Sequence, residues 1–361
     1  MEQVIVDLEI TRQNSHKAIK NLQHSSGLFS AAKKSVLTGY NLAWIRDNVY
    51  ISLGLEAVND VKSLKKLYGA LLNTLLRHEY KIDHAIQKKP EHAFQYIHAR
   101  YHPITLHEIH EPWGNKQNDA VGALLFKIGD LEEKRIKVLR DENDLRIVQK
   151  LVDYLNSVEY WHDKDNGMWE ENEEVHASSV GACVAGLKKA KGIANVPEEL
   201  IQKGEDALKV ILPKESETKD VDMALLSLIY PYDIANGEQR IMILENIEKN
   251  LLREKGVIRY KGDIYYNKEG EAEWTMGLPW LAIIYKNLGL LNKHEFFLEK
   301  TFEAMNGNKE LPELYFANSS EHNENSPLGW SQALFLVSLS QKVDIGAHKT
   351  KTLANSGTNY L

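Results

Sequence analysis

Residues 160–174 read Tyr160-Trp161-His162-Asp163-Lys164-Asp165-Asn166-Gly167-Met168-Trp169-Glu170-Glu171-Asn172-Glu173-Glu174. On either side, over 142–159 and 175–190, apolar residues return every three or four positions, the period of a helix with one buried face. The stretch between them is too long for a tight turn and has no strand period. Long irregular connections inside compact proteins usually carry function. Working outward, the same helical period recurs at 13–23, 47–58, 61–83, 117–132, 197–210, 219–229, 237–253, 273–288, 291–306 and 327–342, giving twelve segments in all. Pro197 opens one of them where its missing N–H is harmless, Gly289 closes another, and Asn292 suits a cap. Strand signals are weak, with a small hairpin of 257–260 and 263–266 around Lys261-Gly262 as the one expectation.

The connections alternate. Those after even-numbered segments are short: 59–60, 133–141, 191–196, 230–236 and 289–290. Those after odd-numbered segments are long: 24–46, 84–116, 160–174, 254–272 and 307–326, with 211–218 the exception. The pattern predicts an all-α ring of six helix pairs, inner and outer, in a single domain over 1–342, followed by a polar extension at 343–361. Helices running up and down gather the long connections on one rim, where they would build one pocket. A helical-repeat solenoid is the competing geometry, but the sequence shows no repeat of the roughly 34- or 40-residue period that solenoids require.

Composition sets bounds on partners. The chain has 361 residues, 43 % hydrophobic and 26 % charged, which is ample for a large core. A net charge of −7 implies no nucleic-acid partner. The single cysteine, Cys183, lies in the apolar run 179–185 and reads as a packed core thiol. No apolar run approaches a membrane span, and the acidic start Met1-Glu2-Gln3-Val4-Ile5-Val6-Asp7 lacks the core of a signal peptide, so a cytoplasmic location is expected by default.

The rim residues carry the chemistry. Glycoside hydrolysis needs one protonated carboxyl to release the leaving oxygen and one ionised carboxylate to activate water or attack carbon. Glu170 and Glu313 are the expected pair. Glu170 follows Trp169, and a carboxyl against an indole loses solvation, so its charged form is disfavoured. The adjacent Glu171 would repel it, which also favours a retained proton. The first long loop ends Tyr40-Asn41-Leu42-Ala43-Trp44-Ile45-Arg46-Asp47, where a guanidinium and a carboxylate beside aromatics can hold sugar hydroxyls. Read locally, Asp47 instead caps the next helix and pairs with Arg46. Trp113, Gln117 and Asp119 offer a similar set in the second loop, or a capped helix start. The loop at 254–272 contributes Arg259, Tyr260, Asp263 and Tyr265, and Trp330 opens the last helix, where core packing is the plain alternative. His107-Glu108-Ile109-His110 lacks zinc-site spacing, and the acids at 163 and 165 lack an EF-hand glycine in register, so no metal is expected.

In order along the chain, Tyr40 to Asp47, Trp113-Gly114 with Gln117 and Asp119, Gly167-Met168-Trp169-Glu170-Glu171, Arg259-Tyr260 with Asp263 and Tyr265, and Pro312-Glu313 with Pro327-Leu328 and Trp330-Ser331 resemble the glucoamylases of glycoside hydrolase family 15. The resemblance spans roughly 15–340. It implies an (α/α)6 toroid that removes glucose from non-reducing ends of α-glucans with inversion and needs no cofactor. By that resemblance Glu170 is the general acid and Glu313 the general base. Tyr40, Arg46, Asp47, Glu171 and Arg259 would hold the terminal glucose. Trp113, Gln117, Asp119 and Trp330 would shape the pocket, with Trp44, Trp169 and Asp263 as further site residues. Trp44 to Tyr50, Ala177-Ser178-Ser179-Val180-Gly181 and Pro312-Glu313-Leu314-Tyr315 are also similar to the glucoamylase-like domain of phosphorylase kinase regulatory subunits. The expected function is therefore an inverting exo-α-glucosidase acting on short oligosaccharides. The rivals are a silent sugar-binding or kinase-regulatory domain and a trehalase-type α-glucosidase. No N-terminal β-sandwich or starch-binding module is read from the sequence, which points away from long starch chains.

Overall fold

A computed structural model describes residues 2–111 and 113–340. Within them lie α1 (Glu2–Leu22), α2 (Ile45–Ala57), α3 (Val61–Arg77), α4 (Glu79–Gln87), α5 (Asn118–Glu133), α6 (Glu142–Val158), α7 (Ala177–Ala190), α8 (Glu198–Ile211), α9 (Gly237–Asn250), α10 (Gly277–Asn287), α11 (Leu291–Glu303) and α12 (Gly329–Leu339), with 3-10 helices at Ala93–Gln95 and Met223–Leu228. The expected extension at 343–361 lies outside the described residues.

Six elements close an inner ring. α2 packs on α5, α5 on α7, α7 on the 3-10 helix Met223–Leu228, that helix on α10, α10 on α12, and α12 back on α2. These elements are buried on all sides, as every residue from Asn118 to Leu131 in α5 and from Gly329 to Ser338 in α12 shows. Outside them, α1 lies on α12 and α2, α3 on α2 and α6, α8 on α7, α9 on the 3-10 helix and α11 on α10. The outer helices bury one stripe only, such as Leu64, Leu67, Leu71 and Leu75 of α3 or Ile147, Leu151 and Leu155 of α6. The fold is an (α/α)6 toroid. α5 and α7 approach so closely that a Cβ on Gly122 would stand 2.4 Å from the Ala182 carbonyl carbon, and Cys183 is a free, buried thiol in that seam.

Four expectations need correction. The first helix begins at Glu2 rather than near residue 13, because Val4, Ile5 and Val6 are consecutive and hide the helical spacing. The third segment breaks at His78, whose ring Nε2 faces the Leu106 carbonyl at 2.9 Å, so 61–83 becomes α3 and α4. The eighth is a 3-10 helix of six residues, too short for sequence period to separate from an α-helix. The hairpin around Lys261-Gly262 does not form. Val257 pairs instead with Leu252 and Trp274, and Asp263 folds the loop on itself by accepting from Arg259 and the Tyr265 N–H.

The long connections meet on one rim, as the alternation requires. Two short antiparallel ribbons tie them together. β1 (Ala43–Trp44) pairs with β2 (Arg100–Tyr101), joining the first and second loops. β3 (Glu273–Trp274) pairs with β4 (Leu314–Tyr315), joining the fifth and sixth.

Candidate active site

A cavity of about 420 Å³, part of it open to solvent, lies on this rim. Its lining includes Tyr40, Trp44, Arg46, Asp47, Trp169, Glu170, Arg259, Trp274 and Trp330. Glu170 is presented by a turn with two left-handed residues, Gly167 at φ +63° and Glu170 itself at +65°. Such a conformation costs a non-glycine residue about 1–3 kcal/mol and persists only where neighbours impose it. Here the neighbours are specific. Asn166 Oδ1 accepts from the Lys116 N–H and its amide donates to the Glu171 carbonyl at 2.7 Å, zipping the second loop to the third. Asp165 accepts from the N–H groups of Gly167 and Asn118 and from the Ser179 hydroxyl. Gly114 leaves room for the turn, since a Cβ there would lie 2.7 Å from the Glu170 carbonyl oxygen.

Two guanidiniums flank the cavity. Arg46 donates to Glu170 at 3.0 Å, Asp119 at 2.9 Å and Gln117 at 2.8 Å. Arg259 donates to Asp263 at 2.6 and 2.7 Å and to Glu171 at 2.8 Å. Glu171 also accepts from Lys219 and the Tyr260 hydroxyl. The adjacent glutamates therefore face different partners. Burial works against the Glu171 charge, but Arg259 and Lys219 outweigh it and hold its pKa below the usual range. Glu170 goes the other way. Burial dominates, Asp47 adds to it, and the pull of Arg46 is insufficient, so its carboxyl is pushed up to about 7. Asp47 is raised to about 6, again by burial first.

Glu313 is fully buried and its pKa is raised by that burial. Asn323 and Asn325 both donate to Oε2, at 2.5 and 2.8 Å, leaving Oε1 outside the amide clamp. The Tyr40 hydroxyl stands beside this carboxylate and favours its ionised form. Burial, and after it the negative charges of Glu313 and Glu170, raise the Tyr40 pKa.

Residues 6–206, more than half of the chain, match the family described as glycosyl hydrolases family 15. The chain belongs to glycosyl hydrolases family 15. It superposes on a wild-type glycosidase with a TM-score of 0.82 at 20 % identity, covering 94 % of this chain and 97 % of that one. A glucoamylase from Saccharomycopsis fibuligera gives 0.64 at 14 % identity over 92 % of this chain and 94 % of the other. These likenesses establish the fold. Among curated relatives, a probable phosphorylase b kinase regulatory subunit alpha of Caenorhabditis elegans is 24 % identical over 82 % of this chain, and a skeletal muscle isoform of Rattus norvegicus is 26 % identical over the same share. The chain spans about 30 % of the length of each.

Within this family frame the expected residues other than Glu313 sort into three positions, while Glu313 is fully buried and is not among the cavity-lining residues. Tyr40, Trp44, Arg46, Asp47, Trp169, Glu170, Arg259 and Trp330 reach the cavity. Gln117, Asp119, Glu171 and Asp263 stand behind it and hold the two guanidiniums. Trp113 meets Trp44 edge-on at 6.0 Å, beside the lining. Two local readings fail. Asp47 does not cap α2, whose N-cap is Trp44, and Arg46 pairs with Asp119 and Glu170. The Trp169 indole N–H goes to Asp222 at 2.8 Å, so the indole donating toward Glu170 is that of Trp44. Trp330 does both jobs expected of it, lining the cavity and stacking on Tyr50 at 4.1 Å. Sequence reading missed Asn166, Asp222, Lys219, Asn323, Asn325 and Arg100. The polar run 322–326 before Pro327 was the visible signal for the two asparagines. Among the described residues no helix is long and apolar enough to cross a membrane, and no group of three His, Cys, Asp or Glu side chains is placed to hold a metal.

Proposed function

We propose that the chain is an inverting exo-acting α-glucosidase that releases glucose from the non-reducing ends of short α-glucans. The observation that carries this reading is the pair of carboxyl environments. Glu170 opens on the cavity with a carboxyl poised near neutrality. Glu313 is held by two amides with one oxygen left for another partner. Glu170 protonates the glycosidic oxygen, and its raised pKa supplies that proton near pH 7. Glu313 takes a proton through Oε1 from a water that attacks the anomeric carbon from the opposite face. Inversion leaves room for that water, roughly 6.5–9.5 Å between the two carboxyls. Arg46, Asp47 and Arg259 fix the terminal glucose, so binding energy goes into orientation, while Tyr40, Trp44, Trp169 and Trp330 present ring faces to the sugar. Gln117, Asp119, Glu171 and Asp263 keep the guanidiniums in place, and Trp113 bounds the far side. No cofactor enters these steps.

The curated relatives favour a second reading, a silent sugar-binding domain within a kinase regulatory assembly. A trehalase-type specificity is the enzymatic variant. Glucose release from maltose, isomaltose, trehalose, maltotriose and soluble starch separates all three. Release from none of them, by a folded protein that binds sugar, defeats the hydrolase reading.

A further inference from the structure

The leaving group of a glycoside must sit against the general acid, so the side chains that crowd Glu170 without belonging to the glucose clamp define the next subsite. Arg100 is the informative one. It is paired with Trp44 across the β1–β2 ribbon, and directly paired residues project to the same face. Its guanidinium carbon lies 5.2 Å from the Trp44 ring centroid and 4.3 Å from that of Trp113. Trp44 lines the cavity, and the residue after Trp113 abuts the Glu170 backbone. Among the charges acting on Arg100, that of Glu170 is the strongest attraction.

Its hydrogen bonding sets it apart from the other two guanidiniums of the rim. Arg46 and Arg259 each pair with two carboxylates of the site, Asp119 and Glu170 for the first and Asp263 and Glu171 for the second, although the Arg46 Nε is also unpaired. Arg100 is 8 % exposed, yet its Nε is buried without a partner, and Nη2 reaches only Glu111, at 3.3 Å, whose side chain is 68 % exposed. A charge so buried is costly to leave without hydrogen bonds. We propose that Arg100, gripped between Trp44 and Trp113, is the specificity-determining residue for the leaving-group sugar. Its free donors take hydroxyls of the second ring of an α-linked disaccharide, and the indoles take that ring's apolar face. This inference rests on the hydrolase reading above and adds a subsite to it.

The test compares two glucosides whose leaving groups both need protonation, a disaccharide that the wild type cleaves and methyl α-glucoside. Only the first carries a second ring. Arg100→Met should lower kcat/KM for the disaccharide about 10- to 100-fold, the loss of one or two hydrogen bonds from a charged donor. Methyl α-glucoside should change by less than about threefold on the same reasoning. Arg100→Lys retains the charge near Glu170 but not the planar fork. It should show the same selective loss, with an unaltered pH profile, and it carries the test if Arg100→Met does not fold. Calorimetry of both sugars in a Glu313→Gln background gives the same comparison without turnover. Equal losses on the two sugars would mean that Arg100 acts on the acidity of Glu170 or merely supports the indoles, and would overturn the inference. A wild type that binds the two sugars alike overturns it as well. A wild type that binds the disaccharide more tightly but cleaves neither defeats the hydrolase reading and leaves the Arg100 subsite standing.

Discussion

Raising the pH from 5 to 8 should switch this site off without unfolding it, and the size of the effect can be worked from Glu170. Burial and Asp47 bring its carboxyl from 4.5 to about 7 against the pull of Arg46. A glutamic acid at its ordinary value would be about 0.3 % protonated at pH 7, whereas a value near 7 leaves about half protonated. The limb of kcat/KM on a disaccharide should therefore bend near pH 7 and fall about tenfold per pH unit above it. The same shift is a statement about stability. The folded state holds the Glu170 proton more tightly than the unfolded chain between pH 4.5 and about 7, so stability falls as pH rises through that window and levels off above it. The difference amounts to about 3 kcal/mol for a shift of this size. Glu170→Gln removes the titration. It should match the wild type in Tm at pH 4.5 and exceed it by a few degrees at pH 8. Paired scanning fluorimetry and initial-rate profiles read both effects. Activity that stays flat to pH 9, or a Tm difference that does not grow with pH, refutes the reasoning.

Three further outcomes follow from the same geometry. Proton NMR of a fresh reaction on an α-glucoside should show β-glucose first, and initial α-glucose would make Glu313 a nucleophile or a bystander. Glu313→Gln should abolish turnover on every substrate while sugar binding persists, whereas Glu170→Gln should spare substrates with very good leaving groups, because they need little protonation; near-wild-type activity in either variant rejects the assignment. Gly114→Ala should lower kcat/KM at least about tenfold with a modest loss in Tm, because its Cβ would meet the Glu170 carbonyl and shift the turn, and displacement of a reacting group by about 1 Å is enough for that. Unchanged kinetics in Gly114→Ala would show that the turn tolerates displacement.

The ring was legible because it rests on two coarse signals, helical period and loop length. Both come from burial: inner helices such as α12 are buried along nearly their whole length and mostly apolar, and outer ones such as α6 carry a single stripe. What failed was decided by side chains acting at a distance. Asp222 caps the 3-10 helix by accepting from the Ala224 N–H while it also holds the Trp169 indole, so a segment that reads as α-helix is drawn tight beside the cavity. His78 interrupts α3 without a proline or glycine to announce it. At the site, Glu170 and Glu171 look like a repelling pair in sequence. The left-handed turn sends one to Arg46 and the other to Arg259, and their acidities part in opposite directions. Asn323 and Asn325 could be seen as polar residues near Glu313, but nothing local says that both amides aim at one oxygen. Arg100 was invisible because its meaning depends on the β1–β2 register that sets it on Trp44.

The choice between enzyme and silent binding domain turns on Glu313. A domain that only holds sugar is served by hydrogen-bond donors and ring faces, and the cavity lining already supplies both. A second carboxylate, fully buried and weakened as an acid by that burial, adds nothing to such binding and lowers stability wherever it must ionise. Its surroundings favour ionisation nonetheless. Two asparagine amides fix one oxygen, the Tyr40 hydroxyl supports the charge, and Arg259 adds a positive field. That combination matches a base that must be charged and stationary when water arrives, the role in which destabilisation is traded for rate. The two readings therefore predict opposite costs for one substitution. In a silent domain Glu313→Gln should raise Tm and lose nothing, since the amide keeps the shape. In the hydrolase it should raise Tm and end turnover, and sugar affinity should be retained in both.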